Sequence, residues 1–301
     1  GALAFAVSRL GAGPRVVVCA DAESADKLMA SLGFWMGEER VCLLPADDVP
    51  PYEGLSPHPD RVRQRILALD AIRRGRDVVV VAVAKALLGR VMSIQRLLDA
   101  PHLREGERIG PASLAAWFSE SGYAATSRVE DPGTFSLRGD LLDAWPTGHS
   151  QPIRVEFFDD EIEAIRTFAP KTQRNTSTLA EVSVLPAREM FLDAEALQRA
   201  RLYFEERVKA LGYGERLAFS VLNDLEAGIR FSGHEVFRPA TGELSTLAEI
   251  AGDLEWMVVD PVEVSKALDA HAEDIQRRFG ANKEGSAQLV PPEHLFCSTD
   301  D

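Results

Sequence analysis

Two valine-rich runs limit what this chain can fold into. One lies at Arg15–Ala20 (RVVVCA), and the other is DVVVVAVAKALLGRV, which starts at Asp77. Both are apolar at almost every position, whereas a strand with one side in water alternates apolar and polar residues. Such strands are typical of a parallel sheet covered by helices on both faces, and helical spacing of apolar residues occurs between the two runs. Residues 1–97 are therefore predicted to form an α/β layer of the nucleotide-binding type.

The pattern changes beyond about Ile109. The segments TFSLRGDLLDAW, PIRVEFF and EIEAIRTF carry apolar residues at nearly every second position and are separated by Pro-Thr-Gly and Asp-Asp turns. This predicts an inserted antiparallel domain over residues 98–188 with one sheet face open to water. Residues 189–301 are predicted to be mainly helical, and either form a third unit or pack back on the first.

The stretch RVEFFDDE raises the possibility of an ATP-driven motor, because an apolar strand followed by acidic residues can hold magnesium. Arg154 and Glu156 alternate with Val155 and Phe157, however, so this strand has a wet face that a Walker B strand would lack. The phosphate-binding string G-x-x-x-x-G-K-[ST] occurs nowhere in the 301 residues. Asp159-Asp160 is therefore predicted to be a hairpin turn, and no cofactor is expected.

Other candidate sites are weak. Ser56 and His58 resemble a nucleophile and a base. They lie two residues apart in a proline-rich loop, however, and this loop offers no third group to orient the histidine. The three cysteines form no C-x-x-C pair and the six histidines no ligand pattern, so no metal site is expected. No catalytic residue is predicted.

The charge of the chain favours a protein partner over nucleic acid. The formal net charge is −14, and phosphates are repelled unless basic residues are concentrated locally. The arginines near the second valine run could form a DNA track, but helix positions explain them better. These are Arg61, Arg63, Arg65, Arg73, Arg74 and Arg76. No segment approaches 18 consecutive apolar residues, so the chain is expected to be cytoplasmic, without a membrane span.

Four segments together resemble a known family. They are LPADDVPPYEGLSPHPDRVRQRILAL, DVVVVAVAKALL, FSLRGDLLDAWPTGHSQPIRVEFFDDEIEAIRTF and PPEHLF. They are similar to the N-terminal UvrB-homology module of the bacterial transcription-repair coupling factors (Mfd). The resemblance implies a degenerate RecA/helicase-like α/β domain 1a at 1–97, an inserted domain 2 at 98–188 and a helical domain 1b at 189–301 that packs back on the first. UvrB itself has a phosphate loop and a Tyr-rich hairpin, and PPYEGLSPHPDRVRQR replaces that hairpin here.

The resemblance also implies a function. In the family the inserted domain recruits the damage sensor UvrA, whereas RNA polymerase and duplex DNA are bound by later domains. Whether the module also contacts distant domains of its own chain is left open by the sequence. The UvrA-binding residues would be Arg138, Arg154 and Phe158. The fragment would not be an enzyme, although its parent would be an ATP-dependent DNA translocase. The alternative is a fragment of an ATP-dependent, UvrB-like helicase whose phosphate loop lies upstream of residue 1.

Strand periodicity agrees with that assignment. Arg154 and Phe158 share one side of their strand, and Phe157 lies on the other. We expect the first two to contribute little to stability, since a wet face supports no core. The competing interpretation is that the arginines only solvate the sheet, while Phe158 packs under a neighbouring helix.

Overall fold

The computed structural model describes residues 1–10, 13–282 and 286–298. The chain begins with α1 (Ala2–Ser8), β1 (Arg15–Cys19), α2 (Ala22–Met36), β2 (Val41–Leu44), α3 (Pro59–Arg73), β3 (Val79–Val83), α4 (Ala84–Leu88) and β4 (Val91–Met92). It continues with α5 (Ile94–Leu98), β5 (His102–Arg104), α6 (Pro111–Glu120), β6 (Ala124–Ala125), β7 (Thr134–Arg138), β8 (Leu141–Ala144), β9 (Ile153–Phe158), β10 (Glu161–Phe168), β11 (Asn175–Leu179) and β12 (Glu181–Ser183). The last part holds α7 (Ala194–Leu211), α8 (Glu215–Glu226), α9 (Arg238–Thr241), β13 (Leu244–Ser245), α10 (Leu247–Ala251), β14 (Glu255–Val258), α11 (Pro261–Ala281) and α12 (Pro292–Leu295).

These elements form two compact units. The first, called here the α/β unit, combines Gly1–Ile94 with Ala194–Asp301, and the second, the central unit, is Gln95–Asp193. The fold is a mixed α/β fold, as the sequence predicted. Within the described residues, the C-terminal helical part does not form a third unit; it packs with the first part of the chain in the α/β unit.

The α/β unit is built on a parallel sheet of order β14-β1-β3-β2. Val16, Val17 and Val18 on β1 are each at most 1% exposed, so the central strand is buried on both faces, as its uniform apolar sequence predicted. Buried residues of α1 and α2 pack against one face of the sheet. The C-terminal part also supplies β14, which pairs in parallel with β1, so this sheet depends on residues from both ends of the chain.

The central unit contains a six-stranded sheet of order β11-β10-β9-β8-β7-β6. Its strands are antiparallel except for the short parallel pair β6 and β7. Helix α6 covers one face, where the Phe118 ring stacks on Phe135 at 5.6 Å and 17°. Phe157 and Val155 of β9 belong to the same core. This is the inserted antiparallel domain that the alternating segments predicted.

The acidic pair after β9 is a hairpin turn, as predicted. Strands β9 and β10 pair antiparallel, with Phe158 opposite Glu161 and only Asp159 and Asp160 between them. Asp159 has φ +59°, a left-handed conformation that Asp tolerates better than most residues. These carboxylates therefore form the turn after a strand with one exposed face, and do not follow a buried Walker B strand.

The arginines that could have formed a DNA track are engaged within the α/β unit. Arg65 is 2% exposed and lies 3.5 Å from an Asp47 carboxylate oxygen. The side chains of Arg73, Arg74 and Arg76 gather around the buried Asp70 carboxylate, at 2.6, 2.9 and 3.5 Å. With Arg63, which lies 3.3 Å from an Asp60 carboxylate oxygen, five of the six are paired with carboxylates of this unit. Across the described residues, no helix combines the length and the apolar character that crossing a membrane requires.

The loop that suggested a nucleophile and a base has structural roles. The His58 ring accepts a hydrogen bond from the Asp60 backbone N–H at the start of α3. The Ser56 hydroxyl donates to Glu235 at 2.6 Å and accepts from the Gly233 backbone N–H at 3.0 Å. The two side chains therefore make separate structural contacts.

Candidate protein-docking surface

The face of the central sheet opposite α6 carries a row of polar residues. Cross-strand pairing places Ser136, Asp143, Arg154 and Arg166 beside one another on β7, β8, β9 and β10. Because successive residues of a strand point to opposite faces, this row cannot contribute to the aromatic core below it. We call it the arginine row.

A buried carboxylate organises the arginine row. Asp143 is 0% exposed and accepts two hydrogen bonds from Arg154, one from Nε at 2.7 Å and one from Nη2 at 2.9 Å. Arg138 of β7, on the other side of β8, donates through Nη2 at 2.7 Å to the same carboxylate. Paired, charge-assisted hydrogen bonds of this kind are among the strongest in proteins and fix the plane of the guanidinium. The Asp143 carboxylate therefore sets the position of both arginines.

Arg154 lies much deeper than the sequence indicated. Its side chain is 14% exposed, and its guanidinium lies 4.7 Å from the centre of the Phe168 ring. It also donates to the Gln173 backbone oxygen at 3.3 Å and to Asn175 Oδ1 at 3.2 Å. The hydrogen bond to Asp143 is the main cause that raises the pKa of Arg154 above its ordinary value. The expectation that Arg154 contributes little to stability is therefore revised: it holds the loop that carries Gln173 and neutralises a buried charge.

Arg138 and Phe158 are exposed to solvent. The Arg138 side chain is 50% exposed, so part of its guanidinium is free for an external acceptor. Phe158 is 77% exposed at the end of β9, and Leu137 is 38% exposed at the end of β7. A phenylalanine this exposed is not packed under a helix, which removes that part of the competing interpretation. Phe157, its neighbour in sequence, is 5% exposed, so the predicted sidedness of β9 is confirmed.

A second ion pair extends the surface. Arg166 Nε lies 3.0 Å from Glu156 Oε1, and both side chains are about one-third exposed. Glu156 is followed two residues later by Phe158 on the same side of β9. The exposed aromatic ring thus shares its sheet face with charged side chains whose hydrogen bonds are already organised, and an aromatic residue together with arginines is enriched in protein-binding surfaces.

Asp143 is the residue that sequence reasoning missed. In LLDAW it lies between Leu142 and Ala144, which are both 0% exposed, so its position in the strand already assigns it to the polar face. The two strands that flank β8 each carry an arginine on this face, Arg138 on β7 and Arg154 on β9. That arrangement predicts a carboxylate shared by both arginines. Only the cross-strand register, however, shows which arginines reach it.

Comparison with known proteins identifies this unit. Residues 102–190 match the family model of the UvrB interaction domain. The resemblance to the UvrB-homology module is confirmed. Over nearly its whole length the chain is related to the transcription-repair-coupling factors, at 26–35% identity.

Three relatives show how far the similarity extends. The chain is 35% identical to the Myxococcus xanthus transcription-repair-coupling factor, over 96% of this chain and 25% of that protein. The Haemophilus influenzae transcription-repair-coupling factor is 28% identical over 100% of this chain and 26% of its own length. The Thermotoga neapolitana UvrABC system protein B is 35% identical over 55% of this chain and 26% of its own length. The chain thus spans about a quarter of the length of these relatives.

Proposed function

We propose that this chain is a non-catalytic docking module that recruits the repair protein UvrA to stalled RNA polymerase in the cytoplasm. The observation that carries the proposal is the exposed Phe158 ring on the same sheet face as the Asp143-anchored arginines, in a segment that matches the UvrB interaction domain. RNA polymerase and duplex DNA would be bound by parts of the longer protein outside residues 1–301. Contact of this module with such parts would be a further level of control.

The chemistry of the surface defines what UvrA must present. Arg138 keeps half of its side chain in water and donates to the Asp143 carboxylate, so its remaining N–H groups can donate to a carboxylate of a partner. Phe158 needs an apolar pocket, because burying a large exposed ring supplies most of the energy at such a centre. Arg154 contributes mainly by holding the Asp143 carboxylate in place and by its remaining exposed edge.

The proposal is tested by titrating purified UvrA with this chain and with an Arg138→Ala variant. Truncating a central interface arginine typically costs about 2 kcal/mol or more, so we expect at least roughly thirtyfold weaker binding. Arg104→Ala is the matched control, because Arg104 is 62% exposed, pairs with Glu181 on a different sheet of the same unit, and should leave the affinity unchanged. Equal affinities of the parent and both variants would refute the assignment of this surface.

We expect the chain to bind no ATP. A phosphate loop supplies the backbone amides and the lysine that hold the nucleotide phosphates, and the sequence of 301 residues contains no such loop. Calorimetric titration with ATP and Mg²⁺ should give no heat beyond dilution. Micromolar binding would contradict this expectation.

Duplex DNA should also bind no better to this chain than to a neutral protein at physiological salt. The net charge is −14, and five of the six arginines near β3 are paired with carboxylates of the same unit. Binding through phosphates requires several free cations and weakens steeply with salt. Filter binding across a series of salt concentrations measures this, and a submicromolar constant with a steep salt slope would contradict the expectation.

A further inference from the structure

A cavity in the α/β unit is not used by the docking surface. Its volume is about 170 Å³, and it lies beyond the carboxyl ends of β2 and β3, below the loop at residues 45–58. Ligands of open parallel α/β sheets bind at this edge, because the loops that follow neighbouring strands diverge there. An engineered cavity of about 150 Å³ accommodates benzene, so this one is large enough for a single aromatic ring.

Part of the cavity wall is apolar. Pro50, Pro51, Leu55, Phe231 and Phe296 contribute to it, and the prolines fix the local backbone. Apolar side chains on several sides of a pocket enclose the body of a small organic molecule, and a few polar groups bind its polar end. Pre-formed walls also reduce the entropy lost on binding.

The loop that forms the roof is tied down at one point. The Ser56 hydroxyl bridges the Glu235 carboxylate and the Gly233 backbone N–H. A Cβ on Gly233 would lie 2.7 Å from the Gly54 backbone, and Gly233 has φ +79°, so only glycine permits this approach. The cavity is therefore a built feature of the unit rather than a gap under a loose loop.

Charges of both signs line the cavity, with one cation in excess. Arg65, Lys85 and Arg238 contribute three cations, and Asp47 and Glu235 contribute two carboxylates, of which Asp47 lies 3.5 Å from Arg65. Arg65 and Arg238 are only 2% and 7% exposed, so their fields are weakly screened by water, whereas Lys85 lies at the exposed side.

A histidine adds a neutral polar group to the same cavity. His271 of α11 lines it, and burial followed by the nearby Lys85 charge lowers its pKa, so at neutral pH its ring is uncharged. A neutral imidazole both donates and accepts a hydrogen bond. The apolar walls, the excess of cations and this ring together define the ligand.

We propose that this cavity binds a small aromatic anion, a carboxylate or phosphate carried on one ring. The ring would lie against the proline and phenylalanine walls, and the anionic group would face Lys85 and Arg238. Such a ligand would tie together the loop after β2, the start of α4 and the segment 231–238, which come from both parts of the chain that form this unit.

Titration of the full chain with three probes, followed by protein NMR, tests the proposal. Phenyl phosphate and benzoate should bind saturably, with dissociation constants in the millimolar range or below, and benzyl alcohol should bind at least about fivefold more weakly. The two anions distinguish a phosphate from a carboxylate preference. Absence of saturation at about 10 mM for both anions, or equal affinity for the neutral alcohol, would overturn the proposal.

Two charge-reversal variants test whether the anions bind in this cavity. Lys85→Glu changes an exposed side chain that lines the cavity, so the protein should remain folded while the affinity for the anions falls about tenfold and that for benzyl alcohol stays the same. Lys209→Glu makes the same change on an exposed position of α7 that does not line the cavity, and should alter neither affinity. Should Lys85→Glu reduce the melting temperature, Lys85→Gln replaces it in the same comparison. Anion binding that is insensitive to Lys85 would place the site elsewhere.

Discussion

Asp143→Ala should unfold the central unit at a much lower temperature than the parent, with a loss of about 3–5 kcal/mol in the free energy of unfolding. The carboxylate is 0% exposed and accepts three hydrogen bonds from Arg138 and Arg154. Its removal leaves the Arg154 guanidinium largely buried without a carboxylate, and the cost of such an uncompensated charge exceeds that of losing an exposed ion pair. Thermal and urea denaturation measure the change.

Two further variants separate this explanation from simple loss of packing. Arg138→Ala should cost less than about 1 kcal/mol of stability, because its side chain is half exposed and Asp143 keeps both hydrogen bonds from Arg154. The double variant Asp143→Ala with Arg154→Leu should be less destabilised than the sum of the two single variants, since no charge is then buried alone. Strict additivity would show that the pair is not coupled, contrary to the geometry.

The docking surface shows how far strand periodicity reaches. Alternation along β9 placed Arg154 and Phe158 opposite Phe157, and the structure confirms that sidedness. Periodicity gives the direction of a side chain but not what covers it, so it could not indicate that the loop carrying Gln173 lies over Arg154. The degree of exposure depends on loops distant in sequence, and for Arg154 these loops turn a surface residue into a mostly buried one.

The fold of the α/β unit shows a similar limit. The runs of valine predicted β1 and β3 correctly, because a strand that is apolar at every position has few alternatives. Strand β14 has the sequence EWMV, and nothing local relates it to β1, more than 200 residues earlier in the chain. Long-range pairing of this kind is decided by the assembled core rather than by local sequence.

Phe158→Ala and Phe157→Ala should have opposite effects, although the two residues are adjacent. Phe158 is 77% exposed, so its truncation should change the free energy of unfolding by no more than about 0.5 kcal/mol and weaken UvrA binding by roughly thirtyfold or more. Phe157 is 5% exposed in the aromatic core, so its truncation should cost about 3–5 kcal/mol of stability through the cavity that it leaves. Melting temperature and UvrA affinity are measured for both variants.

Phe157→Leu supplies the control that keeps the fold. A hydrophobic substitution of similar volume usually costs less than about 1.5 kcal/mol, so this variant should remain folded and bind UvrA like the parent, since the Phe157 ring never reaches the surface. If Phe158→Ala melted as early as Phe157→Ala, Phe158 would be a structural residue. If it melted like the parent and bound UvrA with unchanged affinity, the ring would be exposed for another reason, and the docking surface would have to lie elsewhere on the central unit.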